Sequence, residues 1–149
     1  MTAQEYLSQA YLLEQQIQSK LAQIESLKSL ASYMTARPTD QEPVSHTKNV
    51  HAMEDTVLKI MEANQELDAQ IDALVDKKLE IASVISQIRN VTYRLIMEKR
   101  YLTFCMFEEI AVDLHFSIRT VQRMHAKALE IVQGILDQNM YDGGSDYVY

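Results

Sequence analysis

Near the carboxyl end of the chain, one stretch carries basic side chains and no acidic residue between Asp113 and Glu130. Its long polar side chains are those of Arg119, Gln122, Arg123 and Lys127. Arg forms paired hydrogen bonds with guanine O6 and N7, Gln does the same with adenine N6 and N7, and both reach phosphates. Residues three or four apart share a helix face. This spacing therefore predicts a cationic helix face with the chemistry to bind nucleic acid.

The charge of the whole chain is opposite to that of this stretch. The 149 residues carry a formal net charge of −7. Such a balance argues against a protein that binds nucleic acid over its entire surface, whereas a local cationic surface stays compatible with it. The alternative reading is an ordinary solvated helix face with scattered cations. The clustering of Arg and Gln where acids are absent favours the binding surface.

Other chemistry-bearing residues do not form a recognisable set. Cys105 is the sole cysteine and lies between apolar neighbours, so we expect a buried thiol without catalytic function. Glu108 and Glu109 fall in the first turn of a predicted helix, where carboxylates suit the helix dipole. The histidines, which lack metal-ligand spacing, are His46, His51, His115 and His125. The sequence predicts no enzyme, no catalytic residue, no metal and no cofactor.

Composition places the chain among soluble globular proteins. Its hydrophobic content is 47% and its charged content 23%, and it lacks an apolar run that could span a membrane. The opening residues MTAQEYLSQA show no secretory signal, and a lone cysteine fits a reducing compartment. We therefore expect a cytoplasmic protein with no membrane contact.

The helix that carries the cations needs a scaffold, and its flanking residues indicate one. An apolar stripe over Phe107, Ile110, Ala111 and Leu114 predicts a short helix, followed by a tight turn at His115 and Phe116. Since His tolerates a left-handed backbone, we expect His115 to be a turn residue and not a ligand. Ser117 is a good N-cap for the next helix. The core face of that helix is predicted to comprise Val121, Met124, Ala128, Val132 and Ile135. The candidate DNA-binding residues are Ser117, Ile118, Arg119, Thr120, Gln122, Arg123 and Lys127.

Two long heptad patterns precede this module. In the first, positions a are Ala3, Ala10, Ile17, Ile24 and Ala31, and positions d are Tyr6, Leu13, Leu27 and Met34, with Lys20 interrupting. In the second, positions a are Val50, Val57, Ile71 and Ile85, interrupted by Asn64 and Lys78, and positions d are Met53, Ile60, Leu67, Leu74, Ile81 and Ile88. Sustained heptads joined by a short proline-containing linker predict an antiparallel, coiled-coil-like helical hairpin.

The heptads also suggest a register and an oligomeric state. One register places Lys20 opposite Asn64, so that two polar interruptions meet in one layer. Further apolar residues at position e widen the stripe and favour a homodimer of hairpins: Leu7, Leu21, Met61, Val75 and Ala82.

The fold class predicted is thus all-α, a long helical hairpin followed by a small helix-turn-helix module. The predicted domains are an oligomerisation hairpin over 1–89, the helix-turn-helix over 90–138 and a flexible tail over 139–149.

The segment MFEEIAVDLHFSIRTVQRMHAKAL resembles the helix-turn-helix of region 4 in bacterial primary sigma factors, and the preceding YRLIMEKRYL is similar to that region's first helix. The resemblance implies reading of a promoter element and a surface for RNA polymerase. Met106 stands where those modules have a Thr or Ser cap, and Ile118 and Arg119 replace an Arg and a Glu. We therefore expect a different base preference, in which Ile118 contacts a thymine methyl group.

The complete layout is a helical hairpin beginning EYLSQAYLLEQQIQSKLAQIESLKSLA, then NVHAMEDTVLKI, then the sigma-like module. It resembles phage and prophage proteins of the RinA and ArpU type, which are late transcription regulators. This resemblance implies a DNA-binding regulator of late phage genes. Together with the dimerising hairpin, we expect a sequence-specific regulator that binds double-stranded DNA as a homodimer, and the sigma-like module implies RNA polymerase as a further partner. Two alternatives remain open. One is a DNA-packaging protein similar to small terminase subunits, and the other is a helical interaction module that does not bind DNA.

Overall fold

A computed structural model describes residues 1–36 and 43–142. Within these ranges every regular element is a helix, which confirms the predicted all-α fold class. The helices are α1 (Ala3–Leu7), α2 (Gln9–Ala36), α3 (Pro43–Ile85), α4 (Val91–Tyr101), α5 (Phe107–Leu114) and α6 (Ile118–Asp142). Pro43 opens α3, where its missing N–H costs no helical hydrogen bond.

The chain divides into two compact units. One unit is Leu13–Ala73, and the other combines Met1–Leu12 with the chain from Leu74 onward. The predicted domain scheme assigns residues 1–89 to one hairpin and does not group the first twelve residues with the C-terminal helices. That scheme remains a prediction.

In the unit Leu13–Ala73, α3 runs back along α2. The ammonium of Lys20 lies 2.6 Å from a carboxylate oxygen of Glu66. If the two helices were parallel, the chain between Ala36 and Pro43 would have to cover roughly 58 Å, because each helical residue rises about 1.5 Å. That stretch reaches at most about 25 Å. The two helices are therefore antiparallel.

The apolar seam of α2 follows the predicted columns. Ile17 and Ile24 are buried, and Leu13 and Leu27 are half-buried. The predicted pairing of Lys20 with Asn64, by contrast, is wrong, because Lys20 contacts Glu66 and Asn64 is exposed.

The reason is the rotation of α3 about its own axis. In this unit α3 buries residues at d and g, among them Leu67 and Thr56, whereas three predicted a residues are exposed. Those three are Val50, Val57 and Ile71. Burial of Thr56 is tolerated because its hydroxyl donates to the carbonyl of Ala52 at 2.8 Å. The side of α3 that faces α2 is therefore more polar than the side that the heptad pattern predicts.

In the second unit, α1 is fixed at both of its ends. The Thr2 hydroxyl accepts from the Glu5 N–H while the Glu5 carboxylate accepts from the Thr2 N–H, which forms a capping box. The N–H of Ala3 donates to Oε1 of Gln133 at 2.8 Å, which attaches α1 to α6. The Tyr6 hydroxyl donates to Glu80 at 2.7 Å. Burial, together with this carboxylate, raises the pKa of Tyr6 above its usual range.

The helices α4, α5 and α6 share one apolar core. Its fully buried members are Ile96, Ile110, Ala111 and Val121, and Cys105, Phe107, Leu114 and Met124 pack against them. Cys105 is half-buried and thus less enclosed than the buried thiol that the sequence predicts. Asn90 caps α4 through a hydrogen bond from the Tyr93 N–H at 3.1 Å.

A turn between α4 and α5 places Phe104 in a left-handed conformation, with a φ of 59°. Such a backbone is unfavourable for an aromatic residue, and neighbouring contacts hold it. The ammonium of Lys78 lies 4.9 Å from the centre of its ring, and the Tyr11 ring meets it edge-on at 5.7 Å. Arg100 closes the turn by donating to the Cys105 carbonyl at 3.1 Å.

The end of α6 differs from the prediction. The predicted flexible tail begins at residue 139, but α6 continues to Asp142. The remainder, residues 143–149, lies outside the described residues.

Candidate nucleic-acid interface

Two local backbone features, a left-handed residue and an N-cap, set where α6 begins. His115 ends α5 in a left-handed conformation, with a φ of 60° and a ψ of 40°, and Ser117 caps α6 by accepting the Thr120 N–H at 3.1 Å. Both features were predicted from residue type. Only three residues separate the two helices, and α5 and α6 contact each other directly.

One side of α6 is buried in the core of this unit. Val121, Ala128 and Val132 are buried, and Met124 and Ile135 are half-buried. The predicted core face is therefore confirmed. This packing fixes which side of the helix is presented to solvent.

The predicted site residues lie together at the start of α6. Thr120 is half-buried, and the others are exposed: Ser117, Ile118, Arg119, Gln122, Arg123 and Lys127. Ser117 and Thr120 are already hydrogen-bonded to each other, with 2.8 Å between their hydroxyl oxygens. The structure thus assigns these two hydroxyls to the cap and leaves the longer side chains available for a ligand.

The cations of α6 differ from those of α4 in their contacts. In α4, Arg94 donates to the Ile88 carbonyl at 3.2 Å and Lys99 lies 3.4 Å from Asp113. Arg100 stacks on the Phe107 ring at 4.3 Å. Those cations have structural partners.

The side chains of Arg119, Arg123 and Lys127 have no hydrogen bond, ion pair or ring contact with any residue that the structure describes. A group of unpaired cations on one face of a well-packed helix suits a polyanionic ligand. We refer to Arg119, Gln122, Arg123 and Lys127 as the α6 basic face.

Behind this face lies a buried His that the sequence reading missed. His125 is 7% exposed, and its Nε2 lies 2.6 Å from the hydroxyl of Tyr101. The Phe107 ring meets the imidazole edge-on at 5.0 Å. This cluster joins α4, α5 and α6. Its position in the sequence could have indicated burial, because His125 comes four residues after Val121 on the core face.

Burial controls the ionisation of this cluster. It lowers the pKa of His125 to about 4, and the nearby Arg100 charge acts in the same direction. Burial also raises the pKa of Tyr101 to about 12. Both groups are therefore neutral at pH 7.

We expect the free energy of unfolding to fall as the pH decreases from about 6.5 to about 4. In that window the unfolded chain protonates His125 and the folded chain does not, which costs up to about 1.4 kcal/mol per pH unit. Urea unfolding of the wild type and of His125→Gln across this range isolates the effect. The difference in unfolding free energy between the two should shrink as the pH falls. A difference that is constant with pH would contradict the assignment.

The N-terminus of α5 lacks a side-chain cap. Met106 occupies the N-cap position and makes no capping hydrogen bond, as its replacement of a Ser or Thr predicts. We expect Met106→Ser to raise the unfolding free energy by about 1 kcal/mol, because its hydroxyl can accept an unpaired N–H. Thermal unfolding of Met106→Ser and Met106→Ala tests this expectation. Equal stability of the two variants would argue against it.

Among the described residues, no three His, Cys, Asp or Glu side chains are grouped in a way that could hold a metal ion. In the same part of the chain, no helix combines the length and the apolar character needed to cross a membrane.

The fold and site together define an all-α chain in which a helix with a cationic first half is packed against a helical scaffold. The family described as protein of unknown function (DUF1492) matches residues 40–133. This match covers more than half of the chain, and the chain belongs to that family. No curated protein and no solved structure shows significant similarity to this chain.

Proposed function

We propose that this chain is a sequence-specific, DNA-binding transcription regulator that reads double-stranded DNA with the α6 basic face. The observation that carries the proposal is the unpaired state of Arg119, Arg123 and Lys127 on an otherwise well-packed helix. A helix that presents Arg and Gln from its first turns suits the major groove, where these side chains can reach base edges.

The protein's other features fit this function. The three-residue turn and the Ser117 cap hold α6 against α5, as a groove-binding helix requires. The likeness to sigma region 4 and to RinA and ArpU type regulators supports a phage-derived, cytoplasmic transcription regulator. On the same basis we propose a homodimer, with RNA polymerase as an additional partner.

Binding to mixed-sequence duplex DNA tests the interface itself. We expect Arg123→Ala to weaken binding to every duplex about tenfold or more and to reduce the slope of log affinity against log salt by about one. The reason is that an unpaired guanidinium at this position contacts phosphate. Titrations at several salt concentrations provide both quantities.

The matched control is Arg89→Ala, which removes the same charge at an exposed position outside α6. It should change neither quantity appreciably. Equal effects of both substitutions would indicate a general charge effect and would contradict the assigned face.

A further inference from the structure

The exposed side chains in the first half of α6 form two adjacent rows, because residues four apart lie one above the other on a helix. One row contains the three cations of the α6 basic face. The second row contains Ile118, Gln122 and Ala126, which are all exposed. We call this second set the neutral row.

The neutral row is suited to base edges and not to phosphates. It carries no charge, and the Gln122 side chain makes no hydrogen bond with any residue that the structure describes. Such an amide can pair with N6 and N7 of adenine. Ile118, a large apolar residue, is 42% exposed one turn before Gln122, and Ala126 is exposed one turn after it. The amide therefore lies between two apolar side chains.

The cations beside the neutral row determine which ligand can cover its apolar side chains. Cations without partners select a polyanion. In duplex DNA the major groove presents one kind of apolar group, the C5 methyl group of thymine. Glu130, four residues after Ala126, is exposed, and its carboxylate is repelled by phosphates. The part of this row that can face DNA therefore ends at Ala126.

The spacing of the neutral row matches that of stacked bases. Each helical residue rises about 1.5 Å, so Ile118 and Ala126 each lie about 6 Å from Gln122 along the helix axis. Successive bases of one strand are about 3.4 Å apart. A helix that lies along the major groove therefore places both apolar side chains about two base pairs from the base that Gln122 contacts.

We infer that the neutral row selects an A·T-rich site. In this site Gln122 binds an adenine, and Ile118 and Ala126 bind thymine methyl groups within about two base pairs on either side of it. The inference rests on the proposed function and specifies the DNA that this surface of α6 binds.

Removal of thymine methyl groups tests the inference. The duplex that the wild type enriches from random DNA is synthesised with thymine or with deoxyuridine, which forms the same base pair but lacks the C5 methyl group. We expect deoxyuridine at either flanking position to weaken wild-type binding about fourfold, because burial of one methyl group contributes about that factor. Deoxyuridine elsewhere in the duplex should have no effect. Fluorescence anisotropy titrations measure the dissociation constants.

Two variants assign each methyl group to a side chain. Ile118→Ala should lose the preference for thymine over deoxyuridine at one flanking position, and Ala126→Gly should lose it at the other. Both duplexes are compared with the same protein, and therefore any change in its stability cancels. The matched control is Met140→Ala, which shortens an apolar side chain that is 80% exposed near the end of α6. It should keep both preferences.

Three results would overturn the inference. They are equal wild-type affinity for the thymine and deoxyuridine duplexes, an enriched motif without A·T pairs, and an unchanged thymine preference in Ile118→Ala. Sequence-specific binding that still depends on Arg123 would in each case leave the proposed function intact. If the selection enriches no duplex, the proposed function and the inference both fail.

Discussion

Selection from random duplex DNA should enrich one motif with the wild-type protein and none with Arg119→Ala/Gln122→Ala. Arg119 and Gln122 are exposed side chains of the α6 basic face with the donors that discriminate guanine and adenine edges. Each such contact contributes about 1–3 kcal/mol of discrimination. Loss of both should lower affinity for the enriched duplex by about 30-fold or more. Titration of that duplex with both proteins measures the change.

The matched control for this selection is again Arg89→Ala, which should enrich the wild-type motif. The single variants are informative as well. Arg119→Ala and Gln122→Ala should relax the base preference at different base pairs. The two residues are three apart in sequence and therefore lie about 4.5 Å apart along the helix axis. If the double variant enriches the same motif as the wild type, sequence reading by this face is wrong.

Ile110→Ala should destabilise the three C-terminal helices severely. Ile110 is fully buried in the cluster with Ile96 and Val121, and therefore its truncation leaves a cavity where three helices meet. Substitutions of this kind cost about 2–5 kcal/mol, a large fraction of the stability of a small unit. Urea unfolding followed by circular dichroism measures the loss.

The control for this substitution lies on the same helix. Val112 is 74% exposed, so Val112→Ala should change the unfolding free energy by less than about 0.5 kcal/mol. A comparable loss of stability in both variants would mean that the cluster around Ile110 is not the core of these helices.

Features decided by local chemistry were predictable from the sequence. The left-handed His115, the Ser117 cap and the missing cap at Met106 each follow from a few adjacent residues. The core face of α6 follows from spacing, because residues three and four apart must share a side of the helix. The predicted binding residues are exposed because they lie on the side of α6 away from that core face.

Features decided by contacts between distant residues were not predictable. The hydrogen bond from Ala3 to Gln133 joins residues at opposite ends of the chain, and no local pattern encodes it. The Tyr101–His125 pair depends on where α4 meets α6. His125 was considered only as a metal ligand, although its spacing from Val121 placed it on the core face of α6.

The rotation of α3 illustrates a different limit. Its sequence has apolar residues on both sides of the d column, and either side can face α2. Hydrophobicity favoured the side with Val57, whereas the folded unit buries the side with Thr56. Tertiary packing decided which of the two faces is buried against α2, and the more apolar face remains exposed.

Site-specific photocross-linking tests the central claim most directly. A benzophenone side chain at Ala126, an exposed position beside Arg123 and Lys127, should cross-link to bound duplex DNA. The same group at Met140, which is 80% exposed and lies about 21 Å further along α6, should not. Cross-links from Ala126 alone are the predicted result. Equal cross-linking from both positions, or cross-linking from Met140 alone, would contradict the claim that the α6 basic face binds DNA.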